Sequence, residues 1–188
     1  MDAAPPPSHA LTLSRPAESS SDPYASLKKQ IQANEGFRKN SKGQHVVYKD
    51  SLKKDTVGYG HLVTAAEKKA GTFKNGLTEA EAQALFAEDF NHHHAQAKLI
   101  PGFAKAPREV QDVLTDMTFN MGPSWSKKWP KAMKALDAGD WPAMAAALKD
   151  SKWYGQVGSR AKRHIKTIQG VKQPKGGSNT LKVSMNIG

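Results

Sequence analysis

No cysteine occurs among the 188 residues, so a disulfide framework, a thiolate metal site and a thiol nucleophile are excluded and packing must hold the fold. Long apolar runs are missing too. Hydrophobic residues make up 38% of the chain, and no stretch approaches the roughly 20 apolar residues of a membrane-spanning helix. The opening Met-Asp-Ala-Ala-Pro-Pro-Pro is acidic and proline-rich where a secretory leader is basic and then apolar, so no signal peptide is expected. Acidic charge is scarce: 17 Asp and Glu stand against 28 Lys and Arg, a formal net charge of +11. That excess predicts attraction to a polyanion. No DNA- or RNA-reading motif accompanies it, so no specific nucleic-acid partner is expected, and anionic wall polymers or a bacterial surface would use the same charge. Internal repeats, a phosphate-binding Walker loop and paired HxxxH ligands are absent from the sequence, and neither metal nor cofactor is expected.

What is there reads as one globular unit of 22–170 between a Pro/Ser-rich linker or tail, 1–21, and a polar tail, 171–188, in which Leu181 to Ile187 form an edge strand or nothing. Asp22 with Pro23 is expected to cap a first helix whose Leu27 and Ile31 share a face, with Gly36 just past its end and Glu35 in its last turn. A polar connection, 37–44, leads to a strand at Val46-Val47-Tyr48. Its expected partner is Thr56-Val57-Gly58-Tyr59-Gly60, with Asp50 in the turn between them. Thr78-Glu79-Ala80-Glu81 is a capping box. It opens a helix with Leu85, Phe86 and Phe90 on its apolar stripe, expected to run to about Ile100. Consecutive residues His92-His93-His94 point about 100° apart and cannot converge on one ion, so they read as a solvated face. Val110, Val113, Leu114, Met117 and Met121 recur at helical spacing up to Gly122. Shorter helices are expected at Pro130–Asp137, from Asp140 to Lys149, and from Ser159 to Gln169 with Gly170 as the stop. Helices around one small hairpin indicate an α+β, predominantly helical fold.

Glu35 at the negative end of a helix dipole is disfavoured as an ionised carboxylate, and a second carboxylate, Asp50, follows across a loop. Two such groups meet the requirement of acid–base hydrolysis of a glycosidic bond. The pattern Glu35-Gly36, Tyr48-Lys49-Asp50, Thr56-Val57-Gly58-Tyr59-Gly60-His61 closely resembles the lysozymes of T-even bacteriophages, glycoside hydrolase family 24. The likeness continues through Leu77-Thr78 to Asp89, through Asn120-Met121-Gly122 and through Ser151-Lys152-Trp153-Tyr154 to Arg160-Ala161-Lys162-Arg163.

The resemblance implies a two-lobed fold: a small hairpin lobe, 22–77, a connecting helix, 78–100, and a helical lobe, 101–170. It implies a muramidase cleaving the β-1,4 bond between N-acetylmuramic acid and N-acetylglucosamine with inversion, causing bacterial lysis. Glu35 would be the general acid, Asp50 the carboxylate that orients water, and Thr56 the hydroxyl that holds it. Arg160 would reach back to Glu35, and His61 with Asp89 would form a structural ion pair. Tyr59 lies within the motif. Asn120 and Trp153 would line the cleft or pack beneath it, although Asn120 replaces a longer amide. Asp116 stands where the family carries a neutral amide, and so can compete for Arg160. Expected partners are peptidoglycan and the anionic envelope surface, approached as a monomer in the periplasm or wall. Without a signal peptide, release would need a holin, a phage tail, a secretion system or excision from a larger protein. A catalytically inactive wall-binding module, or the lysozyme domain of a tail protein or antibacterial effector, would read alike.

Overall fold

The computed structural model describes residues 22–172. The linker 1–21 and the Leu181–Ile187 segment lie outside the described residues. Helix α1 spans Ala25–Asn34. Asp22 does not cap it: Asp22 Oδ1 accepts from the Tyr24 N–H at 2.8 Å and its carbonyl from Ala25 N–H at 3.1 Å. Asp22-Pro23 therefore forms an Asx turn that delivers the chain to the helix, because a short carboxylate bonds its own backbone two residues on more readily than a distant amide. At the other end Glu35 is the C-cap itself, extended at φ −87° and ψ 137°. The stop needs no left-handed glycine, and Gly36 does not adopt one.

The polar connection after α1 is folded back on itself. Asn40 Oδ1 accepts from the amides of Lys42 and Gln44, both at 3.0 Å, and His45 pairs through its backbone with both Lys39 and Leu77. Three short antiparallel strands follow in the order β1 (Tyr48–Lys49), β2 (Asp55–Val57), β3 (His61–Leu62). The first strand begins two residues later than the sequence suggests, and the segment expected as one Gly-broken strand is two. Gly58 and Gly60, at φ +59° and +94°, reverse the chain between them, a path that side-chain-bearing residues adopt only at a cost.

Helix α2, Ala65–Ala70, was not anticipated. It has a complete capping box between Thr64 and Glu67 but no buried residue. Helix α3 spans Glu79–Ala97 and starts at the expected capping box on Thr78, ending three residues short of Ile100. Its buried face holds Ala82, Phe86, Phe90 and Ala97, with Leu85 half-buried. The solvated-face reading of the histidine run holds only for His92. His93 packs edge-on against Phe119, ring centroids 5.1 Å apart. His94 stacks on Phe90 and shares a hydrogen bond with the Thr115 hydroxyl at 3.0 Å. Two of three successive positions turn inward because α4 crosses α3 there.

Helices α4 (Arg108–Met121), α5 (Trp125–Lys128), α6 (Pro130–Ala138), α7 (Trp141–Lys149), α8 (Lys152–Val157) and α9 (Ser159–Gly170) complete the described chain, with a 3₁₀ turn at Phe103–Lys105. Gly139 is the left-handed stop of α6, and Asp140 is the N-cap of α7. Gly170 is instead the last residue of α9. A large apolar cluster of 20 buried residues gathers these helices around Met117, Trp125, Met144 and Leu148. A second cluster holds four buried residues, Leu27, Ile31, Phe86 and Phe90. Helix α3 feeds both, Phe86 and Phe90 into the small one and Ala97 into the large one.

Candidate active site

The site begins with the way α1 ends. Because Glu35 leaves the helix in an extended conformation while its N–H still bonds the carbonyls of Ile31 and Gln32, its side chain is fixed at a backbone corner. Gly60 lies against it. A Cβ on Gly60 would fall 3.1 Å from Glu35 Oε2 and 3.2 Å from its Cγ, so the glycine both turns the chain and makes room for the acid. Arg160, from the first turn of α9, donates from Nη1 to Glu35 Oε1 at 3.0 Å. The Glu35 side chain is 18% exposed. Burial pushes its carboxyl above the ordinary range, Arg160 pulls the other way, and the nearby Asp116 charge pushes it up again. Burial wins: taking a carboxylate out of water outweighs a single hydrogen bond to the guanidinium.

The strands supply the facing groups. Tyr48 and Thr56 are cross-strand partners, so their side chains share one face of the sheet. Asp50 follows Tyr48 by two residues, at the head of the β1–β2 turn. There its Oδ1 accepts from the amides of Leu52 and Lys54, both at 2.8 Å. Among the described residues Oδ2 takes part in no hydrogen bond. Thr56 is buried and its hydroxyl donates to the Lys54 carbonyl at 3.3 Å, a long contact that a better acceptor can replace. The Tyr48 hydroxyl donates to the Gly36 carbonyl and ties this face to the residue after Glu35. Burial and the charges of Glu35 and Asp50 push the Tyr48 phenol up, while Arg38 pulls it down. Sequence reasoning gave Tyr48 no role, although its place two residues before Asp50 was a usable signal.

His61 lies between two carboxylates, Nδ1 3.0 Å from Asp89 and Nε2 3.1 Å from Glu67. It joins β3 to α3 and α2, and the Asp89 bond leads in raising its pKa against the effect of burial. Tyr59 is tied to α3. Its hydroxyl donates to Glu79 Oε1 at 2.5 Å, its ring packs against Phe37, His45 and Phe86, and burial with the Glu79 bond pushes it up to about 12. Trp153 is buried in the large core, stacked parallel on His164. Asn120 is exposed on the last turn of α4.

Arg160 is shared. Its Nε donates to Asp116 Oδ1 at 2.9 Å, and its Nη2 donates to the same oxygen. Asp116 Oδ2 has His164 Nε2 at 3.1 Å and Gln30 Nε2 at 3.4 Å. Burial works upward on Asp116, but His164 and Arg160 outweigh it and hold its carboxyl below the ordinary range. His164 and Gln30 were not singled out from the sequence, although the i, i+4 spacing of Arg160 and His164 places both on one face of α9. Among the described residues no cluster of His, Asp and Glu is arranged to hold a metal ion, and no helix is long and apolar enough to cross a membrane.

Comparison with known proteins follows the same outline. The chain is 28% identical over 162 residues to the pre-baseplate central spike protein Gp5 of Enterobacteria phage T4, covering 76% of this chain and 27% of that protein. It is 25% identical over 166 residues to the probable T4-type lysozyme 2 of Dictyostelium discoideum, covering 77% of this chain and 94% of the relative. Against the peptidoglycan hydrolase gp36 of Enterobacteria phage SP6 it is 35% identical over 121 residues, 57% of this chain and 12% of that protein. The chain thus spans about a quarter of the T4 spike protein and about an eighth of the SP6 hydrolase. The phage lysozyme family model matches residues 32–170, a stretch that takes in Glu35, all three strands and Arg160, and with that match the chain belongs to the phage lysozyme family.

Proposed function

We propose that the chain hydrolyses bacterial peptidoglycan as a muramidase, cutting the β-1,4 bond between N-acetylmuramic acid and N-acetylglucosamine by acid–base catalysis. The observation that carries this reading is the Glu35 carboxyl, 18% exposed, held by Arg160 and raised by burial, on a corner whose next residue, Gly36, accepts from Tyr48, the cross-strand partner of Thr56 and two residues before Asp50. A raised carboxylic acid keeps its proton at the pH where it must deliver it, and protonating the glycosidic oxygen is the step that lets the alcohol leave. Positive charge then develops at the anomeric carbon. Asp50, with Oδ1 pinned by two backbone amides, would use its other oxygen to orient a water and steady that charge. The Thr56 hydroxyl, able to donate and accept, would hold the same water. Attack from the face opposite the leaving group inverts the anomeric centre, and we assign that outcome to this pair of carboxylates.

The names of the Dictyostelium and SP6 relatives, lysozyme and peptidoglycan hydrolase, support the substrate class. The net charge of +11 supports an anionic wall or envelope surface as the place of action. The test is release of new reducing ends from purified peptidoglycan. Wild type should release them, and Glu35→Gln should fold yet lose about a thousandfold in rate, because the amide is nearly isosteric and has no proton to give. Wall binding without reducing-end release by wild type would make the chain an inactive binding module.

A further inference from the structure

The fork of Arg160 is divided unequally. Two of its nitrogens, Nε and Nη2, converge on Asp116 Oδ1, and only Nη1 reaches Glu35, at 3.0 Å. A guanidinium left to itself forms parallel two-bond forks with a carboxylate, the arrangement that most favours the ionised acid. Asp116 removes that option. It is fully buried on α4, where its other oxygen accepts from Gln30 Nε2 of α1 at 3.4 Å and has His164 Nε2 of α9 3.1 Å away. We propose that Asp116 is a positioning residue of the hydrolase: by occupying the Nε and Nη2 edge of Arg160, it limits the guanidinium to one hydrogen bond with Glu35 and keeps the general acid from being locked as a carboxylate.

The proposal rests on Glu35 as the proton donor. The charged and titratable groups around the pair are few. Arg160 on α9, Asp116 on α4 and Tyr48 on β1 act on Glu35 or are acted on by it. His164 and Arg160 act on Asp116. Glu109 and Asp112 of α4 line a cavity of about 140 Å³ together with Gln30 and His164. Arg163, one turn along α9, is engaged with Asn34 at 2.9 Å. Of these, Asp116 alone is an anion that both lies near Glu35 and takes up part of the charge on Arg160. It therefore raises the acid in two ways, by direct repulsion and by diverting its counter-ion.

Asp116→Asn and Asp116→Gln both keep an acceptor oxygen for Arg160 and remove the charge. The longer amide supplies a second variant should the shorter one leave a gap and fail to fold. In the full chain, the alkaline limb of the kcat/KM profile reports the free enzyme's acid, and it should move down by about one pH unit in either variant. The acid-side plateau should stay within about threefold of wild type, since the donor itself is intact. The Glu35 carboxyl carbon, followed by NMR in glutamate-labelled protein, should show the same downward move in its midpoint. A folded variant whose midpoint coincides with wild type overturns the proposal, as does a fall in the plateau with no movement of the limb. The NMR midpoint also separates this inference from the reading beneath it, because it moves or stays whether or not wild type cleaves the wall.

Discussion

The strands with α1, on one side of α3, and the helices after Lys98 are held by different means. The helical side has the 20-residue apolar cluster, within which the Trp125 indole N–H donates to the Thr118 hydroxyl at 2.9 Å. The strand side has only four residues in its cluster and relies on polar hubs. Glu79 takes Lys39 at 2.8 Å, His45 at 3.0 Å and Tyr59 at 2.5 Å, while His61 joins Asp89 and Glu67. Charge divides in the same way. Residues 22–97 carry 11 basic and 9 acidic residues, whereas 98–172 carry 14 and 6. The proposed donor sits at the polar, weakly cored side, and its guanidinium partner comes from the well-packed basic side. The well-packed side thereby supplies the counter-ion of the proposed donor.

The comparison predicts a graded series of effects. Trp125→Ala should be the most damaging, about 3–5 kcal/mol by denaturant unfolding, because it empties an indole-sized volume in the large core. Its cost should not change with pH, and a pH-dependent cost would mean that the helical side also relies on ionic contacts. Next comes Glu79→Gln, at about 1 kcal/mol near neutral pH after allowance for the exposure of the carboxylate. Lys39 leads in holding Glu79 well below the ordinary carboxylate range. Its contribution is therefore present above the unfolded pKa and lost as pH falls through the folded one. Unfolding curves of wild type and Glu79→Gln should converge in acid, and a constant gap would remove the charge from the explanation.

His61→Asn should cost less, about 0.5–1 kcal/mol, and with the opposite pH dependence. The folded pKa of His61 is raised, first by Asp89, so its stabilisation is full below the unfolded value and disappears as pH rises through the folded one. A deficit that grows toward alkaline pH would contradict the pairing. Smallest in stability is the pair Lys131→Glu and Lys134→Glu on exposed positions of α6, expected within about 0.5 kcal/mol of wild type. Its effect should appear in encounter instead. Lysis of permeabilised cells at low salt should slow and lose much of its salt dependence, while cleavage of a short uncharged oligosaccharide stays the same. Equal slowing on both substrates would locate those lysines' influence in the cleft.

The same contrast explains what was legible in the sequence. Helices with an apolar stripe and a stop signal, α4 on Val110, Val113, Leu114 and Met117, and α6 before Gly139, could be read because burial imposes the 3.6-residue period. Helix α2 has no buried residue and so no stripe, and only the Thr64–Glu67 capping box could have marked it. The third strand was hidden by Gly58-Tyr59-Gly60, where two glycines permit either a kinked strand or a reversal, and the space needed for Glu35 favours reversal. At the site, Glu35, Asp50 and Thr56 came from motif resemblance, and the structure adds how each is held. Asp116 stood out as a charge where an amide was expected. Its contacts with His164 and Gln30 join α4 to α9 and α1, and contacts across such sequence distances leave no local pattern.

The most direct test of the account is the stereochemistry of the first product. Purified peptidoglycan digested in an NMR tube by wild type should yield fragments ending in reducing N-acetylmuramic acid, seen initially as the α-anomer and drifting toward the equilibrium mixture. That result follows from Glu35 giving its proton to the leaving oxygen while a water held at Asp50 and Thr56 attacks from the other side. Initial release of the β-anomer, or of chains ending in reducing N-acetylglucosamine, would contradict the roles assigned to these residues.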